Sequence, residues 1–185
     1  YKKAFNIFSK LLDVNPNDFK ANFHMGKYYY DLNDLNKSVI FFQKSDKSKP
    51  NNPNIIFNLA VALQSVGQTE KAKKEYLRLI SINSRDIKAY YGLFILDVEN
   101  ITNQFFQNLK FMIKGNTISL YEKGLINFIF SKLAKKEGEL KKEINYLKLA
   151  HQNCYNSNLT YNKKSDHYYG NIISNHFNQV TYQNQ

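Results

Sequence analysis

The chain has 185 residues, 43% of them hydrophobic and 22% charged, with a formal net charge of +11. That supplies enough apolar material for a buried core, while no apolar run approaches the roughly 20 residues a membrane span requires. The single cysteine, Cys154, excludes an intramolecular disulfide, and a reduced, cytoplasmic setting is the expectation.

The chain repeats itself at a step of 34 residues: Ala4, Ser38 and Ala72 fall in register, as do Phe8, Phe42 and Tyr76, Met25, Leu59 and Leu93, and Gly26, Ala60 and Phe94. Small and bulky residues at fixed offsets predict helix pairs that cannot bury their own faces and must stack on their neighbours. Lys2 to Val14 is predicted to be a second helix whose partner is missing, with Ala4, Phe8 and Leu11 on one face and Asn15-Pro16 as its stop. The chain opens in mid-pattern without an initiator methionine, so it reads as a fragment. The next unit runs from Asp18 to about Ser48, with Phe19, Phe23, Gly26, Tyr29 and Tyr30 on its first helix and Val39, Phe42 and Ser45 on its second. The cleanest copy follows: Ile56, Leu59, Ala60 and Leu63, a turn at Gly67, then Ala72, Tyr76, Leu79 and Ile80. A fourth unit begins with Tyr90, Leu93 and Phe94, then loses the pattern. Ile101 to Lys114 still reads as a helix through Phe105, Phe106, Leu109 and Ile113, and Gly115-Asn116 breaks it. The last unit carries Leu125, Ile126, Phe130 and Leu133, a turn at Gly138, then Ile144, Leu147 and Ala150. A further helix is predicted over Ser165 to Phe177, through Tyr169, Ile172 and Ile173, with a fraying tail from Val180.

The expected organisation is thus a truncated repeat over 1–16, repeats over about 17–50, 51–84, 85–116 and 117–155, and a connecting helix and tail over 156–185. The third unit, with Asn58-Leu59-Ala60, Leu63, Gly67, Glu70-Lys71-Ala72 and Tyr76, resembles a tetratricopeptide repeat, and the resemblance extends from Lys2 to about Tyr155. It implies an all-α fold, a right-handed superhelical solenoid of antiparallel helix pairs. It also implies a concave groove walled by the first helix of each unit: Lys20, Phe23, Lys27 and Tyr30, then Asn54, Phe57, Val61 and Gln64, then Lys88, Tyr91 and Ile95. Some such arrays clamp a carboxylate with Lys, Asn and Arg. Asn58 and Lys88 occupy two of the clamp's places, but Phe23, Lys27 and Gly92 stand at the others, so the walls suit a peptide with apolar anchors rimmed by lysine instead.

Leu120 to Phe177, through Ile126 to Ala134, Lys136-Glu137-Gly138-Glu139, Tyr146 to Asn153, Tyr161, Asp166 and Tyr169, is similar to the last repeat and connecting helix of bacterial proteins that carry such an array ahead of a sulfotransferase domain. This resemblance implies that any transferase activity belongs to residues beyond Gln185, because the family's phosphate-binding loop does not occur here. The chain itself is expected not to be an enzyme.

The seven glycines form no phosphate-binding loop, and no cofactor is expected. His151, Cys154, His167 and His176 lack the spacing of a structural metal site, so no metal is expected; His151 reads as a partly exposed helix residue and His24 as a surface one. Lys71, Lys73 and Lys74 read as a solvated face, as do the mixed charges around Gly138. Most aromatics are assigned to the core. The basic charge raises nucleic acid, but arginine occurs only at Arg78 and Arg85 although it is the better fork for phosphate. A basic nucleic-acid surface therefore stands as the lesser alternative to a protein scaffold.

Overall fold

The computed structural model describes residues 2–97, 102–115 and 117–157, and within them nine helices and no strand. These are α1 (Lys2–Val14), α2 (Phe19–Asp31), α3 (Leu35–Ser48), α4 (Pro53–Ser65), α5 (Thr69–Ile82), α6 (Ile87–Leu96), α7 (Asn103–Lys114), α8 (Leu120–Lys136) and α9 (Leu140–Ser157). The helix expected over Ser165 to Phe177, with His167 and His176, lies outside the described residues, as does Ile101. The chain divides into two compact units, Tyr1–Phe106 and Gln107–Gln185.

In the first unit each helix packs on the next from α1 to α6, and α2 also touches α4. The period reaches the helix starts. Asp18, Asn52 and Asp86 stand 34 residues apart and cap α2, α4 and α6, accepting hydrogen bonds from the backbone N–H of Ala21 at 2.7 Å, Ile55 at 3.4 Å and Ala89 at 3.1 Å. The turns keep step as well: Asn33 (φ 60°) and Gly67 (φ 77°) hold the same left-handed place between the two helices of their repeats. Caps and turns thus give the pairs α2–α3 and α4–α5 the same hinge.

The core forms from the rows that repeat. Ala21, Ile55 and Ala89 are wholly buried, as are Ser38 and Ala72, while Met25, Leu59 and Leu93 stay within a few per cent of full burial. Two rings set the spacing between helices. Phe42 lies so close over Gly26 that a Cβ there would sit 2.6 Å from its Cδ1, and a Cβ at Gly92 would collide with the Tyr76 ring, 2.6 Å from its Cε1. Asn22 occupies the row of Ile56 and Tyr90, and its buried amide donates to the Pro16 and Asp18 carbonyls at 3.0 and 2.8 Å, fastening the turn that precedes α2. An ion pair joins adjacent repeats: Arg78 of α5 grips Asp46 of α3 with two N–H donors at 2.8 and 3.0 Å, and also reaches Glu75 at 3.0 Å.

The face expected on α1 is corrected. Phe5 and Phe8 meet Tyr28 and His24 of α2 at 4.9 and 4.6 Å, whereas Ala4 and Leu11 share an exposed face with Ile7 and Val14. Lys73 is corrected too: only 19% exposed, it pairs with Asp97 at 3.0 Å and Glu70 at 2.9 Å. In the second unit α8 packs along α9. Ser119 and Glu122 close a capping box on α8, and Gly124 leaves room for Cys154, whose Sγ would collide with a Cβ at that position. Leu125, Ile126, Phe130 and Ala150 are buried as expected; Ile144 is 45% exposed, and Ile129 takes a core place instead.

Replacing Gly92 with Ala gains about 1 kcal/mol of helix propensity, but the added methyl must displace a ring buried on every side, a cost of about 1–3 kcal/mol. Net destabilisation is expected in urea denaturation. The variant Arg78→Ala should lose about 1–2 kcal/mol, because a partly screened two-pronged carboxylate bond disappears; an unchanged denaturation midpoint would show that the bridge contributes nothing.

Candidate functional site

The sequence-assigned walls come from three helices. Lys20, Phe23, Lys27 and Tyr30 lie on α2, Asn54, Phe57, Asn58 and Val61 on α4, and Lys88, Tyr91 and Ile95 on α6. The period explains why they share a face. Lys20, Asn54 and Lys88 form one row, Phe23, Phe57 and Tyr91 a second, and Lys27, Val61 and Ile95 a third. Lys20, Lys27, Asn54, Lys88 and Ile95 are exposed, the others half-buried.

Where α2 meets α4 the structure brings four of these residues into one cleft of about 50 Å³, lined by Lys27, Tyr30, Asn58 and Val61 together with Asp31 and Phe42. The Tyr30 hydroxyl lies 3.1 Å from Ser65 Oγ, and Ser65 donates its own proton to the Val61 carbonyl at 2.9 Å, so Tyr30 is the donor in that pair. Asn58 donates from Nδ2 to the Asn54 carbonyl at 2.7 Å, which leaves its Oδ1 as an acceptor at the cleft. Thus Tyr30 and Asn58 are oriented before any ligand arrives. Asp31, absent from the sequence assignment, adds a carboxylate; it ends α2, and only the cleft it shares with Asn58 and Val61 of α4 marks it.

Two of the aromatic wall residues, Phe23 and Phe57, also contact rings of the core. Phe23 lies 5.7 Å from the Phe42 ring and Phe57 lies 6.3 Å from Tyr76, so each spends part of its surface on the core. Truncating Phe57 would therefore open a cavity beside Tyr76 as well as alter the face. Lys88, Tyr91 and Ile95 do not line the α2–α4 cleft.

Behind the face, the Tyr76 hydroxyl donates to Gln64 Oε1 at 2.9 Å. Burial first, and the nearby Tyr30 second, push its pKa up to about 12. His24, stacked on Phe8, is lowered by burial and then by Lys27. Among the described residues no three His, Cys, Asp or Glu side chains gather as a metal site, and no helix is long and apolar enough to cross a membrane. His151 is exposed and meets the Phe128 ring edge-on at 5.1 Å. Cys154 is half-buried, and that burial raises its thiol pKa.

Because Tyr76 stays neutral in the fold while an unfolded chain ionises near pH 10, its contribution is complete below pH 10 and is lost as pH rises towards 12. At about 1.4 kcal/mol per pH unit, the wild type should lose roughly 2 kcal/mol more than Tyr76→Phe between pH 9 and 12. Equal losses in urea denaturation would mean that the phenol ionises freely in the folded chain.

Comparison with known proteins adds three findings. Residues 19–52 and 53–86 match the family model described as tetratricopeptide repeat. Among solved structures the chain is similar to MamA (18% identity, TM-score 0.62, covering 80% of this chain and 85% of that one) and to MamA from Desulfovibrio magneticus RS-1 (16%, 0.62, 82% and 86%). It is also similar to YrrB, described as a TPR protein with an unusual peptide-binding site (14%, 0.61, 82% and 77%). No curated protein sequence matches. Residues 19–86 are therefore two consecutive tetratricopeptide repeats, and the chain has the helical-solenoid fold of proteins built from them.

Proposed function

We propose that the chain is a protein–protein interaction module that receives a peptide, or a segment of a partner domain, on the face of α2, α4 and α6, with no catalysis of its own. The observation that carries this reading is the α2–α4 cleft, where Lys27, Tyr30, Asn58 and Val61 converge around a space large enough for a small aliphatic side chain. Asn58 Oδ1 would accept a backbone N–H of the peptide, and Val61 and Tyr30 would enclose the side chain. Lys20, Lys27 and Lys88 on the rim favour acidic residues on either side of it. The likeness to YrrB, whose description names a peptide-binding site, supports the same class of ligand.

Selection from a random peptide library displayed on phage tests it. Sequences with a small aliphatic residue flanked by Asp or Glu should be enriched, and Val61→Glu should weaken the selected peptide at least tenfold while leaving the melting temperature nearly unchanged. If Val61→Glu binds as well as wild type while a charge placed on the far side at Leu77 destroys binding, the assignment of the face is wrong.

A second reading makes the chain the non-catalytic portion of a tetratricopeptide-containing sulfotransferase. It rests on the residues of Leu120 to Phe177 described above. A strand and a Gly-Thr-rich phosphate loop encoded shortly after Gln185 would support it, and a stop codon there would remove it.

A further inference from the structure

The first unit has a second concavity, between α3 and α5 and separate from the α2–α4 cleft. It encloses about 240 Å³, with Gln43, Asp46 and Lys47 from α3 on one wall, Lys71, Lys74 and Glu75 from α5 on the other, and Leu59 and Leu63 of α4 as its floor. Its charges are not balanced locally. Both carboxylates are engaged by Arg78, which donates twice to Asp46 and once to Glu75. Lys71 donates only to the neutral Gln68 amide oxygen at 2.9 Å, and neither Lys47 nor Lys74 has a carboxylate partner among the described residues. Arg78 with its two carboxylates carries one net negative charge, so the three lysines leave the furrow net positive by two.

We propose that this furrow binds a phosphate monoester. A phosphate carries up to two negative charges and three strong acceptor oxygens, which answers the three lysines lining the two walls. A lone carboxylate would leave one positive charge uncompensated. The Arg78 bridge keeps Asp46 and Glu75 from competing for those lysines and holds the walls at a set distance. The volume far exceeds the ~10–15 Å³ that admits one water, so the organic part of the ester is accommodated above the leucine floor. Gln43 adds a neutral donor for an ester oxygen or a hydroxyl.

Titration of the whole chain at constant ionic strength, followed by calorimetry and by amide NMR, tests the site with three probes: glycerol 3-phosphate, a short phosphoserine peptide, and acetate. Saturable binding of either phosphate probe is expected, with shifts in residues 43–47 and 71–75. Tighter binding of glycerol 3-phosphate would identify a small metabolite as the source, and tighter binding of the peptide a modified partner. Each of Lys47→Gln, Lys71→Gln and Lys74→Gln, which keep most of the aliphatic stem, should weaken binding about fivefold or more, whereas Lys20→Gln, Lys27→Gln and Lys88→Gln should leave it unchanged. Unaltered melting temperatures confirm that the variants fold. Acetate competing as well as phosphate, equal effects from both sets of lysines, or no saturation would each overturn the proposal. Peptide selection on the α2–α4 face involves none of the furrow residues, so the two readings fail independently.

Discussion

The Phe42 ring can pack against α2 only because residue 26 has no side chain, and the Tyr76 ring reaches α6 only because residue 92 has none. These two contacts set how closely the second helices approach the first ones, and the remaining rows of the first unit are built to that distance. Interiors are packed too densely to absorb even one extra methyl group without a shift elsewhere. With α2 and α4 touching, and α3 and α5 separated by a furrow floored by α4, the same packing creates two surfaces: a face of first helices with an apolar cleft, and a lysine-lined furrow behind it.

Tyr76 links these layers. Its ring fills the space at Gly92, its hydroxyl holds Gln64, and it lies tilted against Phe57 at 6.3 Å. A side chain that serves the core therefore also orders the back of the face proposed to bind a partner. On the other side Arg78 has the equivalent position, tying α3 to α5 while withdrawing two carboxylates from the lysines around them. Lys73 does the same for Asp97 and Glu70. Where acidic groups are already engaged, the excess of lysine acts as an uncompensated local field.

Much of the fold was legible because helix pairing leaves a periodic trace. The positions of Gly26, Leu59, Ala72 and Tyr76 announced the repeats, and even the caps at Asp18, Asn52 and Asp86 keep the 34-residue step. The face of α1 was misread since its apolar residues occupy two sides, and only contact with Tyr28 and His24 shows which side is used. Lys73 was read as solvated because its partner Asp97 lies at the end of another helix, beyond any local charge pattern. In the last unit the spacing found α8 and α9, but Ile144 remained outside while Gly124 let Cys154 approach, a contact between helices that no offset encodes.

By itself the sequence determined that the chain is helical, that residues 19–86 hold two repeats of 34 residues and which residues of their first helices share a face, because these follow from periodicity and from local preferences of caps and turns. Tertiary structure alone decided that Lys27, Tyr30, Asn58 and Val61 meet in one cleft, that Phe23 and Phe57 lean on the core, and that three lysines from α3 and α5 surround one furrow. Those facts depend on distances between helices, which are fixed by the fit of Phe42 over Gly26 and of Tyr76 over Gly92, and such a fit belongs to pairs of residues far apart in the chain.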